Sequence, residues 1–263
     1  FVPGTGTVLT IDTTACTLTG LEQFTEYDVY VKSNVSGSAY VGPLSFRTVK
    51  PAAQLPYYYG FENADENATL WTLTNVNAAG KVCPNTFTSG DAANVGGTGN
   101  TSLYVQYNGQ YGYCPMQADG NIGLSYVWAT RNVDIPTKGT YVVGVKARCP
   151  GNRKVDNETT DYMVVALAPA VCTPSGANIG RPDGTNGSAG TTKAAYNEFN
   201  IVPTKTICGV SDYTEFSGKA VITEPGMYQI MLYWYNPSVS EAPGTIYEPV
   251  AVDRLWVEEY DCT

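Results

Sequence analysis

A tyrosine-rich stretch at residues 102–113, SLYVQYNGQYGY, carries the side chains best suited to bind a ligand. Glycan binding needs flat aromatic faces beside a few amide and carboxylate groups, and Gln and Asn residues are interleaved with these tyrosines. Tyrosine is also a favoured strand residue, so a purely structural role is the alternative. We predict ligand contacts for Tyr107, Tyr111 and Tyr113, and for Trp128 further along the chain.

Catalysis is not expected, because the chain contains no histidine. The usual general base and the Ser-His and Cys-His nucleophile pairs are therefore missing. Carboxylate pairs of the glycosidase type need defined separations, and no spacing in the sequence selects a pair. We predict that this chain itself is not an enzyme. A catalytic neighbouring domain outside it is an open alternative.

The charge of the chain restricts its partners. The formal net charge is −9, which repels nucleic acid and anionic lipid and suits cations and neutral glycans. No apolar run is long enough to cross a bilayer, so membrane insertion is not expected. Seven cysteines occur, none in a CxxC spacing, which argues against a zinc or redox motif. Disulfides of undetermined connectivity and small buried hydrophobes are both consistent with them.

Alternating and continuous apolar patterns predict an all-β protein. The run at 226–235, GMYQIMLYWY, is almost continuously apolar and is expected in the centre of a sheet, buried on both faces. No persuasive helix is found, and the polar segment 173–195 is predicted to be a long loop. Other strands are predicted at residues 7–11, 16–18, 26–35, 44–49, 57–61, 102–107, 139–148, 162–168 and 250–258.

The segment 17–31, TLTGLEQFTEYDVYV, resembles the last strands of a fibronectin type III domain. The spacing from Leu21 to Tyr27 matches the tyrosine corner of that family, in which the Tyr hydroxyl bonds to backbone a few residues upstream. The alternative is any β-hairpin with alternating apolar residues. Because such a domain needs about seven strands, residues 1–50 are predicted to be its C-terminal part, and the chain a piece of a longer protein. Residues 51–56 are predicted to be a linker.

Two motifs at the ends of segment 57–263 carry a second resemblance. Phe61-Glu62-Asn63 followed by Trp71, and the closing segment from Asp253 to Val257, resemble the cleaved-adhesin, choice-of-anchor or MAM-like modules of Bacteroidota surface proteins. Arg254 stands where that family usually has an acidic residue or Asn. The resemblance implies a galactose-binding-like jelly-roll β-sandwich, whose first and last strands are often neighbours.

The same resemblance implies a structural calcium ion close to Glu62 and Asp253. Calcium takes about six to eight oxygen ligands, which carboxylates, carbonyls and water can supply. The alternatives are that the two carboxylates are separate rim charges, or that one of them caps backbone amides. A further weak match, Asp12-Thr13-Thr14, resembles the O-glycosylation site of Bacteroidota and implies that Thr13 is modified.

These observations together favour a non-catalytic extracellular module of a larger secreted or surface-attached protein. Its predicted function is adhesion or carbohydrate binding, with a glycan or surface glycoprotein as partner. The alternative is a structural building block of a cell-surface assembly or fibre, in which other subunits are partners. In that case a strand from a partner would complete the open half-sandwich of residues 1–50.

Overall fold

The computed structural model describes the chain except residues 1, 3–4, 24, 78, 95–96, 116–122, 152–153, 156–157, 160, 173–178, 180–195, 197–200, 237–241 and 262–263. Its described elements are almost all strands, which confirms the all-β class. They are β1 (Glu26–Val31), β2 (Val41–Arg47), β3 (Tyr57–Tyr59), α1 (Ala64–Thr69), β4 (Thr72–Thr74), β5 (Asn85–Gly90), β6 (Ser102–Tyr107), β7 (Gln110–Tyr111), β8 (Ser125–Ile135), β9 (Gly139–Cys149), β10 (Lys154–Val155), β11 (Glu158–Thr159), β12 (Tyr162–Pro169), β13 (Val202–Ile207), β14 (Val210–Ile222), β15 (Gly226–Asn236) and β16 (Ala251–Glu259).

The chain divides into two compact units, residues 1–51 and 52–263. In the smaller unit, β1 and β2 form an antiparallel pair in which the Tyr27 and Phe46 rings stack at 5.8 Å. The Glu22 amide donates a hydrogen bond of 2.8 Å to the Tyr27 hydroxyl, as expected for a tyrosine corner. The strands predicted at 7–11 and 16–18 are absent, since these residues lie outside regular structure.

The larger unit is a sandwich of two antiparallel sheets, the jelly-roll architecture predicted from the sequence. The five-stranded sheet has the order β13-β12-β15-β8-β4. The seven-stranded sheet has the order β14-β9-β16-β6-β5, with β3 paired to β16 and β7 paired to β6. Alternate residues of both sheets, such as Val143 and Leu232, meet in one buried core. The first and last strands of the unit, β3 and β16, are therefore neighbours, as expected.

The five-stranded sheet is covered on both faces. β15 occupies its centre, and residues 229–236 are all buried, which confirms the prediction for the apolar run. One face packs in the core, and the other forms a second cluster that includes Trp128, Tyr233, Tyr196 and Ile201. The predicted loop 173–195 lies, apart from Ile179, outside the described residues.

The sequence analysis predicted no strand for the long β8 and β14, and two local features also differ from its predictions. Residues 64–69 form the short helix α1, which the sequence analysis missed; the Asn63 side chain caps it by accepting a hydrogen bond of 3.0 Å from the Glu66 amide. In the predicted linker 51–56, Ala53 is buried and exchanges two backbone hydrogen bonds with Asn132 and Asp134 of β8. Ala53 therefore packs as part of the larger unit.

One side of the sandwich closes where β14 lies against β13. At Gly218 a Cβ atom would fall 1.9 Å from the Thr204 carbonyl oxygen, so only glycine allows the backbones to approach this closely. We expect Gly218→Ala to lower the free energy of unfolding by about 1–3 kcal/mol, because overpacking forces the strands apart. Urea unfolding measures the loss. In the control Gly139→Ala the nearest atom lies 3.7 Å from the new Cβ, so no loss is expected, and equal effects of both changes would contradict this account.

Candidate functional site

Two of the four predicted ligand-binding aromatic residues lie in the interior. Tyr113 and Trp128 are each 1% exposed. The Trp128 ring lies 4.2 Å from Tyr233, and the Tyr113 ring meets Trp234 edge-on at 5.3 Å. Neither ring offers a face to solvent, so the prediction of ligand contacts is wrong for Tyr113 and Trp128. The alternative of structural packing describes both.

The other two predicted residues are half-buried at the end of the seven-stranded sheet. Tyr107 ends β6, and Tyr111 lies in β7 beside Arg148. The Arg148 guanidinium donates a hydrogen bond to the Tyr111 hydroxyl and forms an ion pair of 2.7 Å with Glu248. Burial raises the pKa of Tyr111, while the positive charge of Arg148 acts in the opposite direction. A role for Tyr107 and Tyr111 in ligand contact stays a prediction.

Part of the outer face of the seven-stranded sheet lies beneath residues 91–94 and 97–101, which we call the cover loop. Ala93 in this loop is fully buried against the sheet with Tyr104. Its carbonyl oxygen accepts hydrogen bonds from the Tyr213 hydroxyl at 2.8 Å and from Arg148 at 3.3 Å. The sheet thus anchors the loop by apolar packing and by hydrogen bonds to one carbonyl.

The buried carboxylate of Asp253 makes the second anchor of the cover loop. Asp253 lies where the register between β16 and β9 shifts, at a bulge between Val252 and Arg254, and its side chain is fully buried. One carboxylate oxygen accepts a hydrogen bond of 2.6 Å from the Thr98 amide. The other lies 3.2 Å from the Lys146 ammonium, which also donates to the Thr98 hydroxyl at 2.7 Å.

Glu62 makes the third anchor, at the end of the same loop. Its Oε1 accepts hydrogen bonds from the amides of Asn100 at 2.9 Å and Thr101 at 3.0 Å. The structure therefore brings Glu62 and Asp253 to one loop, as the resemblance implied. Both carboxylates bind backbone amides, so the alternative of amide capping describes both of them in this structure.

Several oxygen atoms lie close together around this loop, and oxygen atoms are the ligands that a hard cation prefers. The Oδ1 atoms of Asn94 and Asp253 both lie within 3 Å of the point where a Cβ of Gly97 would be, and Asn94 Oδ1 is buried without a hydrogen-bond donor. A Cβ at Gly99 would fall 2.2 Å from Glu62 Oε1. Oxygens therefore crowd against both glycines. Within the described part of the chain, no three acidic, Cys or His side chains form a metal-binding group.

The rest of the outer face carries a row of four residues, of which Tyr58 and Ser217 are exposed, Trp256 is half-buried and Gly144 is buried. Tyr58, Trp256, Gly144 and Ser217 lie directly opposite one another on β3, β16, β9 and β14. The Trp256 indole covers Gly144, since a Cβ there would fall 2.1 Å from the ring. Tyr58 is 63% exposed and Ser217 is exposed. We call these four residues the aromatic row.

Charged and polar side chains border the aromatic row on both sides. Glu258 accepts a hydrogen bond from the Tyr58 hydroxyl, which raises the pKa of Tyr58. Lys219 lies 3.3 Å from the centre of the exposed Tyr260 ring. On the opposite side, Arg254 and Glu215 form an ion pair. The surface thus combines aromatic faces with hydrogen-bonding groups, the combination that the sequence analysis assigned to the 102–113 stretch.

The sequence analysis missed Tyr58 and Trp256 as binding residues. Trp256 could have been found from the alternation of inward-facing and outward-facing residues at 250–258, which places it on the opposite face from buried Leu255 and Val257. The close fit of Trp256 over Gly144 has no such signal, because it depends on pairing between residues more than 100 positions apart.

The remaining predicted site residues are not part of this surface. Thr13 is exposed in the smaller unit, where its hydroxyl donates to the Ala15 carbonyl at 2.7 Å.

Burial raises the pKa of Cys172 to about 11, so its thiol stays protonated at neutral pH. Cys83, Cys114 and Cys149 are also buried, Cys16 is exposed, and Cys262 lies outside the described residues. The described α1 is too short and polar to span a membrane.

The placements of Trp128 and Tyr58 predict opposite effects of truncation. We expect Trp128→Ala to lower the free energy of unfolding by about 3–5 kcal/mol, because it empties a packed site. Tyr58→Ala changes a mostly exposed side chain and is expected to stay within about 0.5 kcal/mol of the unmodified protein. Thermal and urea unfolding of both variants measure this difference. A Trp128→Ala protein of unchanged stability would contradict the described core.

No family model and no curated protein matches this sequence. Solved structures similar to it include the K1 cleaved-adhesin domain of Lys-gingipain from Porphyromonas gingivalis W83, with 12% identity, a TM-score of 0.41, and coverage of 78% of this chain and 98% of that one. The CBM22-1 xylan-binding domain of Paenibacillus barcinonensis Xyn10C has 9% identity, a TM-score of 0.38, and coverage of 81% and 100%. For bacteriophage CBA120 tailspike protein 4, with 11% identity and a TM-score of 0.41, the match covers 74% of this chain but 20% of that one. At these low identities and TM-scores, the function has to be argued from the site itself.

Proposed function

We propose that the larger unit is a non-catalytic carbohydrate-binding or adhesion module that holds a glycan along the aromatic row. The observation that carries the proposal is the partly exposed Trp256 indole over Gly144, beside the exposed ring of Tyr58. Aromatic rings supply apolar area with little conformational entropy cost, since each has only two rotatable side-chain bonds. Gly144 leaves room for the Trp256 indole to lie close to β9, and the short side chain of Ser217 adds little height on β14, so an extended ligand can lie across the row.

The dimensions of the row suit several linked sugar residues. It crosses four strands, which spans roughly 14 Å at the usual spacing of ~4.8 Å between strands. Glu258, Ser217 and Lys219 offer hydrogen-bonding groups along its sides. Because the net charge is −9 and acidic side chains border the row, a neutral glycan fits better than an anionic one.

The wider setting follows from the same proposal. The protein acts outside the cell as part of a larger secreted or surface-attached protein of the Bacteroidota type, with a glycan or surface glycoprotein as partner. Residues 1–50 act as the rear of a fibronectin type III spacer, which the Glu22–Tyr27 hydrogen bond supports. Thr13 is exposed, as a modified residue must be.

A structural role in a surface assembly is the second candidate. Its supporting observation lies in the smaller unit, where three apolar side chains of the two-stranded sheet are exposed: Val31 at 64%, Val41 at 75% and Leu44 at 71%. Exposed apolar strands are sites for pairing with another chain. This candidate predicts stable association with a partner subunit and no glycan binding.

We also propose that calcium stabilises the cover loop. The ion would be held by Glu62, Asp253 and Asn94, together with backbone carbonyls and water, because calcium prefers oxygen ligands. When bound, calcium would supply positive charge between the carboxylates and fix the loop against the sheet. Asn94 Oδ1, buried without a donor, supports this proposal.

The glycan proposal predicts that truncation of the aromatic row weakens binding. We expect Tyr58→Ala and Trp256→Ala each to raise the Kd about tenfold or more, a loss of about 1.4 kcal/mol, because each removes a stacking face. A glycan array identifies the ligand, and isothermal titration calorimetry measures the affinity.

Tyr40→Ala is the matched control, since it removes a 41%-exposed tyrosine from the smaller unit. Its affinity should equal that of the unmodified protein. Glycan binding that survives both aromatic-row changes would contradict the proposed surface. A complete lack of glycan binding, together with stable self-association in sedimentation experiments, would favour the structural candidate instead.

The calcium proposal predicts that chelation destabilises the protein. If the free ion exceeds its Kd about 100-fold, EGTA should lower the Tm by about 5–10 °C. Glu62→Gln keeps an oxygen that can accept the Asn100 and Thr101 amides but removes the charge, so it should abolish most of that decrease. Differential scanning calorimetry measures both. An unchanged melting curve in EGTA would rule out a stabilising calcium ion.

A further inference from the structure

We infer that the glycan on the aromatic row carries an acetamido group, as N-acetylhexosamines do. The inference rests on the proposed function and names the class of sugar that the site takes. It is carried by a second row of residues on the outer face, Glu258 on β16, Val142 on β9 and Lys219 on β14, which lie directly opposite one another. This second row lies two residues away from the aromatic row on each strand, or about 6.6 Å.

The side chains of the second row all point away from the core. Side chains alternate between the two faces of a strand, and one chain neighbour of each of these residues is buried in the core: Val143, Ala220 and Val257. Lys219 is exposed, and Val142 and Glu258 are half-buried. A ligand on the outer face can therefore reach an acceptor, an apolar side chain and a donor in this order across the three strands.

The Glu258 carboxylate supplies the acceptor. One of its oxygens, Oε2, accepts a hydrogen bond from the Tyr58 hydroxyl, which holds the carboxylate beside the aromatic row. Among the described residues, no group donates to the other oxygen, Oε1. Glu258 thus has a fixed position and still has an oxygen available to a ligand.

The Lys219 ammonium supplies the donor. It lies 3.3 Å from the centre of the Tyr260 ring. The Tyr260 amide donates a hydrogen bond of 2.8 Å to the Thr140 carbonyl of β9, so Tyr260 prolongs β16. Because β9 lies between β14 and β16, the side chains of Lys219 and Tyr260 meet over β9, the strand that carries Val142. An ammonium group has three N–H donors, and a ring face engages only part of them.

An acetamido group is complementary to this order of acceptor, apolar side chain and donor. It is a planar amide in the trans form, so its N–H and C=O point in opposite directions. When the N–H is directed at Glu258, the C=O is directed toward Lys219 on the other side of Val142. The methyl group then packs on the half-buried Val142, whose exposed apolar surface favours such a contact.

Other common sugar substituents satisfy only part of the second row. A hydroxyl has its donor and acceptor on one atom and has no apolar part to cover Val142. A carboxylate would meet the like charge of Glu258, and an ammonium would meet that of Lys219. On the opposite side of the aromatic row, Arg254 and Glu215 are already paired with each other. The available donor and acceptor therefore lie on the side of the second row.

The test uses pairs of glycans that differ only in the acetamido group: triacetylchitotriose with cellotriose, and N-acetyllactosamine with lactose. Isothermal titration calorimetry of the full chain gives the ratio of the two Kd values in each pair. We expect the acetamido member to bind about tenfold more tightly or better, because it satisfies groups that the hydroxyl member leaves without partners. Glu258→Met and Lys219→Met keep the side-chain length but remove the acceptor or the donor, so each should bring the ratio close to one.

Arg254→Met is the matched control, since it removes a charge from the opposite side of the aromatic row and should leave the ratio unchanged. A ratio close to one in the unmodified protein, or a preference that persists in both second-row variants, would overturn the inference. If Trp256→Ala still weakens glycan binding in that case, the proposed function stands without the acetamido preference. Failure of every glycan on the array to bind would refute the inference together with the proposed function.

Discussion

The contact between Asp253, Lys146 and the Thr98 amide is the interaction on which the outer face of the seven-stranded sheet depends. A fully buried carboxylate is costly unless hydrogen bonds and an opposite charge compensate it. Here one oxygen binds a loop amide and the other lies 3.2 Å from an ammonium group that bonds the same residue. Lys146 belongs to the sheet itself, but the hydrogen bond to the other oxygen forms only when the cover loop lies on the sheet, so the position of the loop lowers the cost of burying Asp253.

The position of the loop divides the outer face into two regions with different roles. Beneath it, Tyr104, Tyr111, Tyr213 and Arg148 are packed and hydrogen-bonded, and their rings contribute to stability. Beyond the cover loop, the rings of Trp256 and Tyr58 remain partly or largely accessible, and Gly144 leaves room for the Trp256 indole to lie close to β9. The last residue of the loop, Thr101, donates a hydrogen bond to the carbonyl oxygen of buried Phe61. One anchored loop thus limits the aromatic row on one side and is tied to the turn that follows β3.

Local sequence patterns predicted several central strands but missed β8, β13 and β14, and they predicted the site poorly. The runs at 102–107, 139–148 and 226–235 reappear as β6, β9 and β15 within a residue, because alternation and apolar density are local properties. Trp128 was misassigned because a second cluster covers its face of the sheet, and that cover comes from distant residues such as Tyr196. The helix α1 was missed although Asn63 and the acidic first turn signal a helix start, since six residues give little periodicity.

The central claim is that the aromatic row, and not the packed aromatic clusters, contacts the ligand. The chain has four tryptophans, so a ¹⁵N spectrum of the indole N–H groups reports separately on each of them during titration with a glycan identified by array. The account predicts that the Trp256 indole signal shifts with a saturable dependence while the signals of buried Trp128 and Trp234 stay in place. Glycan binding that leaves the Trp256 signal unmoved, or that shifts Trp128 or Trp234 instead, would contradict it.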